Sequence, residues 1–326
     1  MDMKKLVFLI LLFFLIISHV EGQTAIIKGN IGQNKIMKIK LSVNHSNDLV
    51  LVKFPPHAIE KLETKSSANG DFTFHINHIE QLFEINELKI GKNIIYIGIE
   101  PNDTIDITIQ NNNIAYRGHG FEKEYFVQYI KTIDKKRPPV RYQLKQLYPF
   151  DTLCMQYLNH YKMDMDTLTN YQIEYQMDTS DVKSYRKFLK NTLYSSAFYS
   201  LGKDYDHIAN KYIPFLDSFQ INDCSVKMNL VYHRALFGYL SYWYYKQNRK
   251  AINLNKDLGK LINFSNDALP DSIKDYQWSF IIGNWLTWKP KDKQLKSLVM
   301  EYLNNSRNTA LKEMIRNKAI LEKVIE

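Results

Sequence analysis

Residues 97–109 read IGIEPNDTIDITI, and the role given to Glu100, Asp103 and Asp106 decides how the first half of the chain is understood. Three carboxylates this close together suggest a cation site or acid–base chemistry. The same stretch also has the composition of a β-hairpin. Pro101 fixes φ, Asn102 and Asp103 are turn residues, and Ile99, Ile105, Ile107 and Ile109 supply strand positions on either side. Alternation sends Asp106 to the face opposite Ile105 and Ile107. The hairpin reading prevails, so Glu100, Pro101, Asn102 and Asp103 are expected to be structural and to bind no metal.

Working outward, the same alternation recurs. TAIIKGNI, KIMKIKLSV, DLVLVKF, DFTFHIN, LFEINEL and NIIYIGIE each fit a strand, separated by turn residues of which Asn69-Gly70-Asp71 is the clearest set. Closely spaced strands of this kind predict an antiparallel β-sandwich over residues 23–117. After Phe121 the apolar period changes to three and four residues. Asp181 is expected to cap a helix carrying Tyr185, Leu189, Leu193 and Ala197, ended by Gly202, and Asp223 to start a long helix rich in aromatics. Residues 309–326 also read as helical. The fold class is therefore α+β: a sandwich, then an all-helical domain of about eight helices over residues 118–326.

Residues 1–22 have the layout of a secretory signal peptide, with Lys4 and Lys5 ahead of an apolar run and small Gly22 at the cut. The run is shorter than the ~20 residues a membrane span needs, so the mature chain is expected to be exported, soluble and not membrane-spanning. The formal charge is +9. Its lysines are scattered, only Lys135-Lys136-Arg137 is a compact run, and no nucleic-acid motif is present.

Cys154 and Cys224 form no CxxC pair; a structural disulfide and two separate buried thiols both stay open. His75 and His78 fall on opposite faces of a strand, which disfavours joint zinc coordination. Asp164, Asp166, Asp204 and Asp206 are read as carboxylates at helix starts. His233 lies inside an amphipathic helix, and no GxSxG elbow accompanies it. No catalytic, cofactor or metal site is therefore assigned. Tyr242, Trp243, Tyr244 and Tyr245 run together, with Trp278, Trp285 and Trp288 beyond. Each helical step turns about 100°, so consecutive aromatics cannot all face one core. Some of Tyr242, Tyr244 and Tyr245 are thus expected to form a binding surface.

The order AIIKGNI, NGDFTFHI, NIIYIGIEPNDTIDITI and IAYRGHGFEKEYFVQYI resembles the N-terminal region of TlpA-like exported thiol-disulfide oxidoreductases. Glu100, Pro101, Asp103 and Ile105 match that family's EPGDSI-like hairpin, Asn102 takes its usual glycine position, and Gly118 and Gly120 match its G-x-G passage into a helix. The likeness covers about residues 24–135. The family's thioredoxin-like domain with its CxxC has no counterpart here, so its redox chemistry is carried to no residue. Asp-Ser/Thr-apolar tripeptides at Asp103, Asp151, Asp166 and Asp271 also resemble an O-glycan acceptor pattern of Gram-negative exported proteins.

The resemblance implies an exported, non-catalytic accessory protein that binds an envelope protein, peptide or glycan, without a cofactor. Two alternatives stand beside it. One is a redox protein acting through Cys154 and Cys224 or with a separate thioredoxin-like partner; the other is a truncated relic of a longer oxidoreductase.

Overall fold

The computed structural model describes residues 24–44, 59–77, 84–110, 113–136, 149–201, 205–223 and 230–326. The leader, the DLVLVKF stretch, His78, Asp204, Gly202 and Cys224 lie outside them. The chain divides into two compact units, the first running from the N-terminal strands through Gln128 and the second from Tyr129 to Glu326.

In the first unit the strands are β1 (Ala25–Asn30), β2 (Lys38–Asn44), β3 (Ile59–Lys65), β4 (Asp71–Ile76), β5 (Glu84–Ile90), β6 (Asn93–Ile99), β7 (Thr104–Gln110) and β8 (Asn113–His119). They form two four-stranded sheets, ordered β4-β1-β7-β8 and β3-β2-β5-β6. The alternation that marked the strands sends one side of each sheet into a shared core. Ile27, Phe74, Ile105 and Ile107 from the first sheet pack with Leu41, Leu88, Ile95 and Ile97 from the second. Asp106 is exposed between its two isoleucines, as alternation requires.

One pairing departs from the antiparallel expectation: β1 runs parallel to β7, with Ile27 opposite Ile105 and Gly29 opposite Ile107. A parallel pair needs a long crossover, and here the intervening chain supplies it by building the second sheet before returning. β3 was not anticipated, because IEKLETK carries charges at alternate positions and a single leucine, half-buried Leu62.

Helix α1 (Glu124–Lys136) begins in the first unit and ends in the second. The helices that follow are α2 (Phe150–Glu174), α3 (Thr179–Leu201), α4 (Ile213–Asp217), α5 (Leu230–Asn248), α6 (Leu254–Ala268), α7 (Asp271–Trp288), α8 (Leu295–Asn305) and α9 (Thr309–Leu321). On α3, Tyr185, Leu189, Leu193 and Ala197 are all buried, as their spacing predicts. The cap is Asp178 and not Asp181: its carboxylate accepts from the Ser180 amide at 2.6 Å, while Asp181 sits a turn inside and buried. The helical unit has two apolar clusters, one centred on α3 and α5 and the other on α7, α8 and α9. Among the described residues no helix is long and apolar enough to cross a membrane.

Candidate functional site

Residues 100–103 form a turn but not the expected hairpin: β6 pairs with β5 in one sheet and β7 with β1 and β8 in the other, so the turn carries the chain from sheet to sheet and is more deeply embedded than a hairpin corner. Pro101 occupies its second position and Asn102 its third, with φ 69°, the left-handed conformation that a type II turn requires there and that asparagine tolerates. The turn aims Asp103 inward. Its side chain is 3% exposed, and its Oδ2 accepts from the Glu100 amide at 2.7 Å and from Lys123 Nζ at 2.8 Å. Lys123, itself 1% exposed, also reaches Glu100 Oε2 at 3.4 Å. Burial pushes the Asp103 carboxyl up to about 6, with the Lys123 charge and the Glu100 amide pulling the other way. At neutral pH the result is a buried ion pair.

Glu124 follows directly, fully buried at the start of α1. Its Oε2 accepts from the Gly98 amide at 3.0 Å, while Oε1 has no hydrogen-bond partner among the described residues. Burial holds its carboxyl well above the usual range despite that amide and Lys123, which favours the neutral form. Gln128, one turn on, donates to the Tyr96 carbonyl of the adjacent strand. Lys123, Glu124 and Gln128 thus fasten the first turn of α1 to β6 and to the β6–β7 turn. The compact unit consequently reaches Gln128.

Gly118 and Gly120 belong to the same arrangement, with φ 105° and 80°. A methyl group on Gly118 would overlap the Thr104 carbonyl, and one on Gly120 would overlap the Asp103 carboxylate. The EPND turn and the G-x-G passage are therefore one physical device: the glycine vacates the space that the aspartate fills. Sequence reasoning missed Lys123 and Glu124. The only available sign was an adjacent opposite-charge pair in FEKEYF, where a solvated helix start is the ordinary expectation.

In the second unit, the tyrosines offered as a surface are divided. Tyr242 is 2% exposed and is withdrawn: its ring lies 6.1 Å from that of Phe198 and its hydroxyl donates to Asp217 at 3.0 Å. Tyr244 and Tyr245 are half-buried, the first edge-on to Phe264 and the second stacked on Tyr205 at 4.9 Å with its hydroxyl on Asp206. The 100° argument holds in part: Tyr244 and Tyr245 keep some exposure, but α5 is flanked by other elements on several sides. Successive aromatics meet different neighbours before they meet solvent.

Cys154 is a free, buried thiol on α2; burial, and then the nearby Asp151 charge, push it up to about 12. His233 is fully buried, its Nδ1 2.7 Å from Gln277 Oε1. His75 is exposed on β4. Asp164 and Asp166 lie within α2 and not at its start; Asp164 is buried beside the Tyr129 hydroxyl at 3.3 Å. Asp206 is in a 3-10 turn, Tyr205–His207. Of the four acceptor-like tripeptides, Ser272 alone presents an exposed hydroxyl-bearing residue. Among the described residues no group of three or more His, Cys, Asp or Glu side chains could hold a metal ion.

Among the described residues of this unit the most exposed aromatic is Trp288, 66% accessible at the C-terminal end of α7, followed by Tyr199 on α3 at 47%. Trp278 and Trp285 on the same helix point inward. The turn after Trp288 is closed by the Lys289 amide on the Trp285 carbonyl at 2.8 Å and the Asp292 amide on the Lys289 carbonyl at 3.0 Å. Lys289, Lys291 and Lys293 are exposed on this turn and Lys296 on the first turn of α8. The scatter of lysines along the sequence concealed this concentration.

No family model, no curated protein and no solved structure matches the chain.

Proposed function

We propose that the chain is an exported, non-catalytic binding protein of the cell envelope, with its contact surface on the helical unit around Trp288. The observation that carries this reading is the solvent-facing indole of Trp288 within a lysine-bearing turn. An indole held in water at the end of a well-packed helix retains its apolar area and its N–H donor for a partner. The polar chemistry elsewhere is absorbed internally: Asp103 by Lys123, His233 by Gln277, and the Cys154 thiol by a buried setting that keeps it protonated. A thiol held near 12 supplies almost no thiolate at neutral pH, so the redox alternative gains no support.

The test is affinity capture from the native envelope fraction with the full mature chain and with Trp288→Ala. Capture that falls at least tenfold in the variant is the expected result. Equal capture by both proteins would move the surface elsewhere. Thiol counting provides the second arm: Cys154 should be unreactive toward a thiol reagent until the chain is unfolded, and rapid labelling of the folded protein would revive the redox reading.

A further inference from the structure

We infer that the Trp288 turn docks the protein on an anionic phospholipid surface, inserting its indole at the headgroup level while the surrounding lysines face the lipid charge. This rests on the binding-protein reading above and names the partner of that surface. Trp288 is the last residue of α7, and Lys289, Lys291, Lys293 and Lys296 follow within eight residues, all exposed. Lys291, Lys293 and Lys296 are bridged to no carboxylate among the described residues. Two acidic groups lie close in sequence. Asp292 is half-buried and accepts from the Gln294 amide at 2.9 Å, and Glu301 is half-buried on α8. Over residues 288–301 the four lysines outnumber these two carboxylates. Met300, 44% exposed, lies four residues after Lys296 on the same stripe of α8 and adds an apolar contact.

The composition favours a lipid surface over a folded partner or a sugar chain. A protein hot spot of this sort normally centres on a pocket, and sugar recognition requires a fixed set of hydrogen-bonding side chains around a stacking ring. Here the polar groups are ammonium ions on flexible four-carbon stems, which suit a diffuse layer of negative charge and not one defined acceptor geometry. An indole is the side chain that sits most readily at the boundary between headgroups and acyl chains. The turn is also stiffened by its own backbone bonds, so presenting the indole costs little further ordering.

The experiment is co-sedimentation of the full mature chain with vesicles of phosphatidylcholine alone and of phosphatidylcholine containing phosphatidylglycerol. Wild type should sediment with the anionic vesicles only, with binding that weakens as salt is raised. Each lysine near the surface is worth about a fivefold change in affinity, so Lys291→Glu/Lys293→Glu/Lys296→Glu should abolish binding. Trp288→Ala should reduce it at least fivefold, and lipids brominated near the headgroup should quench the wild-type tryptophan emission. All these positions are exposed, so far-UV spectra and melting points should be unchanged. Absence of binding to anionic vesicles at low salt, or binding indifferent to both variants, would overturn the inference. Trp288-dependent binding to a soluble anionic polysaccharide with none to vesicles would also overturn it, while leaving the binding-protein reading intact.

Discussion

Asp103 is held by two demands that oppose each other: burial favours its neutral form and Lys123 its charged form. With a folded value of about 6 against an unfolded value of about 4, the folded chain retains a proton that the unfolded chain has released between those limits. The stability contributed by this group is therefore full below about pH 4, declines as pH rises through about 6, and is level above. Glu63 slopes the opposite way, because hydrogen bonds from Lys38 and Lys40 hold it at about 2 and its contribution is lost on acidification. A comparison of Asp103→Asn with wild type cancels Glu63. The difference in their unfolding midpoints should change between about pH 4 and 6 and stay constant above about 7; a flat difference would show that Asp103 does not titrate there. Removing the partner is more severe. Lys123→Met leaves a carboxylate buried without its counter-ion and should cost roughly 3–5 kcal/mol at neutral pH by urea titration. Gly120→Ala should approach that loss, since the added methyl group and the left-handed φ of 80° both act against the Asp103 position. Alanine at Gly29, the control in a strand, overlaps the Phe72 ring and the Ile107 carbonyl of β7 and so tests crowding between strands at a position with no contact to the ion pair itself.

At the scale of elements, the first turn of α1 is a fastener for the sandwich. Burial favours the neutral form of Glu124, and Glu124→Gln keeps an acceptor for the Gly98 amide, so this variant should stay within about 1 kcal/mol of wild type at neutral pH. Glu124→Ala orphans that amide and should lose roughly 1–3 kcal/mol. A glutamine variant as damaged as the alanine one would mean that Glu124 is charged in the folded chain. Elements also show what could be read in advance. The chain reversal at residues 100–103, the alternation of β1, β4, β6 and β7, and the inward face of α3 were legible, because each depends on residues near in sequence; that β6 and β7 part into different sheets and make no hairpin was not, because their pairing partners β5, β1 and β8 decide it. The α3 cap was misplaced by three residues because Asp178 and Asp181 both satisfy a local capping pattern, and only backbone geometry distinguishes them. Lys123 and Glu124 were opaque for a different reason. A charged pair is ordinarily solvated, and its burial depends on Asp103 arriving from twenty residues away.

At the scale of the whole molecule, each unit has its own core and its own polar economy. The sandwich buries Asp103, Lys123 and Glu124 as an internal fastening, whereas the helical unit keeps the Trp288 indole and the ammonium groups that follow it exposed. That division could not be read from composition, since a net charge of +9 does not say where the lysines gather. Nor could the aromatic run of α5 be assigned, because the surroundings of Tyr242 and Tyr245 are provided by Phe198, Asp217 and Tyr205, on other elements. Trp288 is the counterexample: it ends its helix with two thirds of its surface in solvent.

The parallel union of β1 with β7 bears on how the chain comes to be made. β1 emerges from the ribosome first, yet one of its two flanking strands is the seventh to appear. Its backbone groups on that side wait, unpaired, through the synthesis of the entire second sheet. An open strand edge of this kind is a template for the wrong partner. The closing pair, Ile27 against Ile105, lies beside the turn that carries Asp103, so the strand that relieves the waiting edge arrives together with the carboxylate that Lys123 then secures. A nascent chain halted before β7 should accordingly be protease-sensitive and prone to aggregate, and protection should appear in one step once α1 has emerged.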